Sequence, residues 1–127
     1  MIVTMINLAE LYRVQKRNTE AEALYETLIP LQEKSLGQQN TGLSQTIYTL
    51  AELYRQEDRF ERAEPLYRRA LAILQAQQPS ENPALVRTLK TFASMLRRMK
   101  RKAEALTLEA QAKAILQGQA LAASANH

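Results

Sequence analysis

The phrase LAELYR occurs at Leu8–Arg13 and again at Leu50–Arg55, a step of 42 residues. After another 42 the chain reads Phe92-Ala93-Ser94-Met95-Leu96-Arg97, a looser copy. An internal repeat constrains the fold more than any other feature, because each unit must be one supersecondary element that buries its apolar face on its neighbours. The register extends well past the phrase. Ala21-Glu22-Ala23-Leu24-Tyr25 aligns with Ala63-Glu64-Pro65-Leu66-Tyr67 and with Ala105 to Glu109, and Thr4, Thr46 and Thr88 coincide.

Each unit predicts two helices. In the first, apolar or small residues stand at offsets 0, 3, 4 and 7, the one-face pattern of an amphipathic helix. They are Met5, Leu8, Ala9 and Tyr12; Ile47, Leu50, Ala51 and Tyr54; Leu89, Phe92, Ala93 and Leu96. The second helix repeats the pattern in Ala63, Leu66, Tyr67, Ala70, Leu71, Ile73 and Leu74. Breaks are expected at Lys16 to Asn18, Gln56 to Asp58 and Met99 to Arg101. Thr19 with Glu22, and Asp58 with Glu61, have capping-box spacing. Residues 37–42 and 79–83 carry the turn signals between units. Ala9, Ala51 and Ala93, with Ala21, Ala63 and Ala105, fall on the buried faces, where a methyl group lets antiparallel helices approach closely. Pro30 and Pro65 sit within second helices and are expected to curve them.

These residues resemble a tetratricopeptide repeat, whose helix pair carries Leu, a small residue and Tyr in the first helix and Ala, an aromatic and Ala in the second. Here the pattern falls on Leu50, Ala51, Tyr54, Ala63, Tyr67 and Ala70. The 42-residue unit, with its Asn-Pro linker, is similar to the kinesin-light-chain type. The first unit departs at Leu28 and Pro30, and the third at Leu96, Lys102 and Glu109. The resemblance spans residues 2–117 and implies an all-α, right-handed α-solenoid of three helix-turn-helix hairpins. The expected organisation is one domain over 1–127, with repeats at 1–40, 41–82 and 83–121 and a flexible tail over 118–127. Glu109 and Lys113, four apart, are expected to pair and to give the last repeat a solvated outer face. The apolar start of the first helix (Ile2, Val3, Met5, Ile6) predicts either a piece of a longer array or packing on another chain.

Composition bears on chemistry chiefly by exclusion. The 127 residues contain no cysteine, which removes disulfides and thiolate catalysis. The single histidine is His127, Asp58 is the single aspartate, and no phosphate loop, metal-ligand spacing or nucleophile motif is present. An enzyme is therefore not expected, nor a cofactor or metal. No apolar run approaches the roughly 18 residues that span a bilayer, and the first residues lack the basic flank and cleavage site of a signal peptide. A cytoplasmic location without membrane contact is the expectation.

The resemblance implies a protein-interaction scaffold that grips a peptide or partner segment in a groove lined by first helices. The positions opposite the buried stripe are Asn7, Glu10 and Arg13; Gln45, Tyr48, Thr49, Glu52 and Arg55; Arg87, Lys90, Thr91, Ser94, Arg97 and Arg98. The family's clamp on a C-terminal carboxylate is not matched, since Ile6, Glu10, Thr49 and Thr91 stand where polar or basic members are required. Residues 1–63 carry 7 basic and 9 acidic side chains, and residues 64–127 carry 10 and 4, so the net charge of +4 is placed in the second half. The bases at 87, 90, 97 and 98 share one helix face and predict an acidic segment at the third repeat. Two alternatives compete with this reading. One is a nucleic-acid-binding repeat, weakened by the lack of stacking aromatics beside the basic cluster. The other is a self-associating module, with a homo-oligomer formed through the first helix.

Overall fold

A computed structural model describes residues 2–36, 41–76 and 83–125. Six helices account for them: α1 (Ile2–Val14), α2 (Asn18–Leu36), α3 (Thr41–Gln56), α4 (Phe60–Gln75), α5 (Pro83–Arg98) and α6 (Lys102–Ala125). No strand occurs among the described residues. The chain is all-α and of the helical-repeat class. The turn signals at 37–40 and 79–82 lie outside the described residues, as do Asn126 and His127. The helix α6 continues to Ala125, through most of the segment expected as a tail. Pro30 and Pro65 both lie inside unbroken helices.

The turn inside each helix pair is built the same way three times. Lys16, Asp58 and Lys100, again 42 residues apart, are left-handed, with φ of 62°, 61° and 65°. The amide before each next helix bonds back across the turn: Arg17 N to Tyr12 O at 2.8 Å, Arg59 N to Tyr54 O at 2.9 Å and Arg101 N to Leu96 O at 2.8 Å. The left-handed residue's own amide reaches the carbonyl three residues back at 3.0 Å in all three. This is the Schellman closure, which satisfies the orphan carbonyls at a helix end. It also corrects the expected capping boxes. Asp58 is the left-handed closing residue and Thr19 lies inside α2. The carbonyls that begin the second helices belong to Arg17, Arg59 and Arg101, which accept from Ala21, Ala63 and Ala105 at 3.0–3.1 Å.

The chain divides into two compact units, Met1–Ile73 and Leu74–His127. In the first, α1 packs on α2 and α2 on α3. Ala9, Ala21, Ala51 and Ala63 are wholly buried, with Tyr25, Leu28, Leu43, Ile47 and Tyr67 filling the space around them. Leu28, a departure from the family pattern, is itself fully enclosed. In the second unit α5 packs on α6, burying Leu89, Phe92, Ala93, Met95, Leu96 and Ala105 completely. Thr46 and Thr88 are buried without a stranded hydroxyl, because each donates to the carbonyl four residues earlier, Gly42 at 3.2 Å and Ala84 at 2.8 Å. Thr4 is exposed.

Two substitutions test this architecture. Ala51→Leu inserts three carbons where the alanine is wholly enclosed and is expected to lower stability by ~1–3 kcal/mol in urea unfolding. Lys100→Gly removes the steric penalty of a left-handed side chain and is expected to raise stability by roughly 1 kcal/mol, read by calorimetry.

Candidate functional site

The charged letters of LAELYR are tied down by a tyrosine from the next helix. In the first repeat the Tyr25 hydroxyl donates to Glu10 Oε1 at 2.7 Å, while Arg13 Nη2 donates to Glu10 Oε2 at 2.6 Å. In the second, Tyr67 donates to Glu52 Oε1. Arg55 reaches the same carboxylate through Nε at 3.0 Å and Nη2 at 2.8 Å, and its Nε also points to the Tyr67 oxygen at 3.2 Å. Glu, Arg and Tyr thus form a repeated triad that bolts the first helix of each pair to the second. The Arg13 hydrogen bond holds the Glu10 carboxyl below its usual range, with Tyr25 helping. Burial, and then the neighbouring carboxylate, push the Tyr25 and Tyr67 phenols up. The Glu52 hydrogen bond raises the Arg55 guanidinium.

Between α1 and α3 of this unit lies a cleft of about 260 Å³ lined by Glu10, Arg13, Gln45, Tyr48, Thr49, Glu52, Leu53 and Gln56. Six of these eight are expected groove residues. Leu53 and Gln56 are additions that the helical pattern hides, since Leu53 is otherwise a buried core residue at 1 % exposure. Asn7 is exposed on α1 outside the lining, and Arg55 is turned to Glu52 and Tyr67. The Tyr48 ring meets the Tyr67 ring edge-on, centroids 6.0 Å apart, so the buried tyrosine of the triad also supports the cleft wall. With both carboxylates internally compensated, the cleft presents carboxamide, hydroxyl and phenol groups in place of a net charge.

The remaining six expected residues stand on α5, in the second unit. Arg87, Lys90, Ser94, Arg97 and Arg98 are exposed and Thr91 is half-buried. The triad position here is rewritten as Ser94, Arg97 and Glu109, at the same spacings. Glu109 on α6 takes Arg97 in a two-pronged pair, Nε at 2.8 Å and Nη2 at 2.5 Å. The arginine keeps its place while its acid moves from the first helix to the second. This corrects the expected Glu109–Lys113 pair: Glu109 is held across the hairpin by Arg97. It also changes the standing of Arg97, whose charge is answered within the fold. The sequence signal for these pairings was the constant 12-residue interval from Arg to Tyr or Glu. Among the described residues no cluster of His, Cys, Asp or Glu could hold a metal ion, and no helix is long and apolar enough to cross a membrane.

Repeated pairs of antiparallel helices, closed by one turn geometry at a fixed step, define the class of helix-hairpin repeat proteins. The chain belongs to the tetratricopeptide-repeat family, whose profile matches residues 1–76. Tetratricopeptide repeats generally mediate protein–protein interaction. Its fold is similar to the crystal structure of BtubC (BKLC) from P. vanneervenii, with a TM-score of 0.85 and 22% identity over 93% of this chain and 47% of that one. It is also similar to the crystal structure of nearly identical TPR-like repeats from a Podosopora anserina protein. That match has a TM-score of 0.75 and 24% identity over 90% of this chain and 54% of that one. The chain therefore spans about half the length of these solved structures. No curated protein sequence matches it.

The second-repeat triad is the more enclosed, its Glu52 and Arg55 side chains 21% and 25% exposed against 43% and 39% for Glu10 and Arg13. Tyr67→Phe deletes one hydrogen bond to a carboxylate and is expected to cost about 1.5–3 kcal/mol in urea unfolding. Tyr25→Phe is expected to cost less. Equal losses would mean that burial does not set the strength of the triads.

Proposed function

We propose that the chain is a non-catalytic protein-binding module that holds a peptide or partner segment against its first helices. The observation that carries this reading is the cleft between α1 and α3. Residues from two successive repeats converge on it, and their charges are already neutralised by triads that fix the side chains in place. Such a surface is rigid before the partner arrives, which lowers the entropic cost of binding. The acidic-partner element of the reading belongs to α5, whose sixteen residues include four bases and no acid. The bases of this exposed face, Arg87, Lys90, Arg97 and Arg98, would grip an acidic segment through charge-assisted hydrogen bonds. The same reading makes the protein cytoplasmic, without cofactor or metal. Self-association through the exposed apolar side chains of α1 (Val3, Leu8, Leu11, Val14) is the second reading.

A fluorescein-labelled, twelve-residue glutamate-rich peptide, compared with its glutamine counterpart, tests the assignment. The acidic peptide is expected to bind more tightly, and Arg87→Glu with Lys90→Glu to weaken it about tenfold, or roughly 1.4 kcal/mol, with the helical circular dichroism unchanged. Equal affinity for the two peptides would rule out α5 as a binding surface. A single-stranded RNA that binds instead, with affinity falling steeply as salt rises, would favour the nucleic-acid reading. Light scattering across concentrations reads the self-association.

A further inference from the structure

Glu22 is an ionisable side chain that neither the cleft nor the triads employ. It stands in the first turns of α2 with its side chain only 10% exposed. One oxygen, Oε2, receives Arg59 Nη1 at a long 3.4 Å, and the other, Oε1, is buried with no partner. A carboxylate with an unpartnered buried oxygen is costly. Its surroundings increase that cost. Arg59 is shared with Glu57, whose Oε1 lies 3.6 Å from the same Nη1, and its guanidinium also sits 4.9 Å from the centre of the Tyr54 ring. Glu26, one turn along α2, accepts from the Tyr54 hydroxyl, and Arg62 of α4 lies 5.9 Å from the Tyr54 ring centre. At the α1–α2 turn, Arg17 is occupied by Glu20 at 3.0 Å.

The repeat explains why Arg59 is here. Its counterparts Arg17 and Arg101 fold onto glutamates three residues ahead, Glu20 at 3.0 Å and Glu104 at 2.8 Å. In the second hairpin the residue three ahead is Arg62, so Arg59 is turned back toward α2.

We propose that the folded chain holds Glu22 protonated and that its carboxyl donates to Glu57, making the junction of α2 with the α3–α4 turn a proton-linked clasp. The proton gives the orphaned oxygen a hydrogen bond and removes one of the negative charges competing for Arg59. When it leaves to solvent, Oε1 is stranded again and the charges of Glu57 and Glu26 oppose that of Glu22, with Arg59 divided between Glu22 and Glu57. The acidity of the group agrees: burial first, then the hydrogen bond and charge of Glu57, raise the Glu22 carboxyl from 4.5 to about 7, against the pull of Arg59. Between those two values the folded chain binds more protons here than the unfolded one. The clasp's contribution is therefore complete below the lower value and lost as pH rises through the upper. Glu10 and Glu109, held low by their arginines, act in the opposite sense and at lower pH.

Thermal unfolding of the full chain between pH 5 and pH 8, beside Glu22→Gln, is the test. Wild type is expected to lose on the order of 5 °C of Tm relative to the variant across that window, leaving Glu22→Gln the more stable at pH 8. Parallel curves, or a variant weakened equally at both ends, would show an ionised Glu22 paired with Arg59 and overturn the clasp. The ¹³C shift of the Glu22 carboxyl in the wild-type chain decides the matter even where the variant does not fold. A midpoint near neutrality supports the proposal, and one near 4.5 rejects it.

Discussion

Two antiparallel helices share a core only where their backbones can come close, and this chain reserves an alanine on each helix of every pair for that purpose. Ala9 with Ala21, Ala51 with Ala63, and Ala93 with Ala105 are all without solvent exposure. Close approach brings the large side chains on either side into contact, and it brings the second helix near enough for Tyr25 and Tyr67 to reach carboxylates on the first. Without the methyl-sized contact the tyrosine hydroxyl would fall short, and Glu10 and Glu52 would be mobile surface charges. Core packing and the order of the cleft therefore have one origin.

Three solutions recur among the polar groups within the fold. Threonines at helix contacts bond back to their own helix. Helix ends close on a left-handed residue. Acids on the cleft side are matched by an arginine three residues on and a tyrosine from the next helix. The third repeat uses the last solution in altered form, with Glu109 replacing the tyrosine and Ser94 the acid, and the arginine is satisfied all the same. The constant of the geometry is the position of the guanidinium, and the chemistry around it is exchangeable.

Much of this was legible in the sequence, because a 42-residue step read at helical period assigns each residue to a face. Six of the cleft's eight lining residues were placed that way. The period says less about what a side chain does once on its face. Tyr67 reads as core and Glu52 as groove, yet the bond between them crosses from one category to the other. The turns were equally opaque. Lysine is an unfavoured left-handed residue, so Lys16 and Lys100 gave no local signal, and Asp58 looked like the start of a cap when it closes the helix before it. Leu53, a core residue at 1 % exposure, also reaches the cleft because a helix side at a boundary serves both surfaces.

The identical turns fix how such a chain can change its length. In every pair a left-handed residue follows the first helix at the same position, and the second helix starts two residues later. The rotation carried across the turn is thus a constant of the architecture. An added or deleted residue there would break that closure and re-aim the following helix, taking its alanine off the contact and its tyrosine away from the carboxylate. Whole repeats can be gained or lost without disturbing their neighbours' internal register, whereas single residues cannot. The segments between pairs are where a change of length would disturb this geometry least.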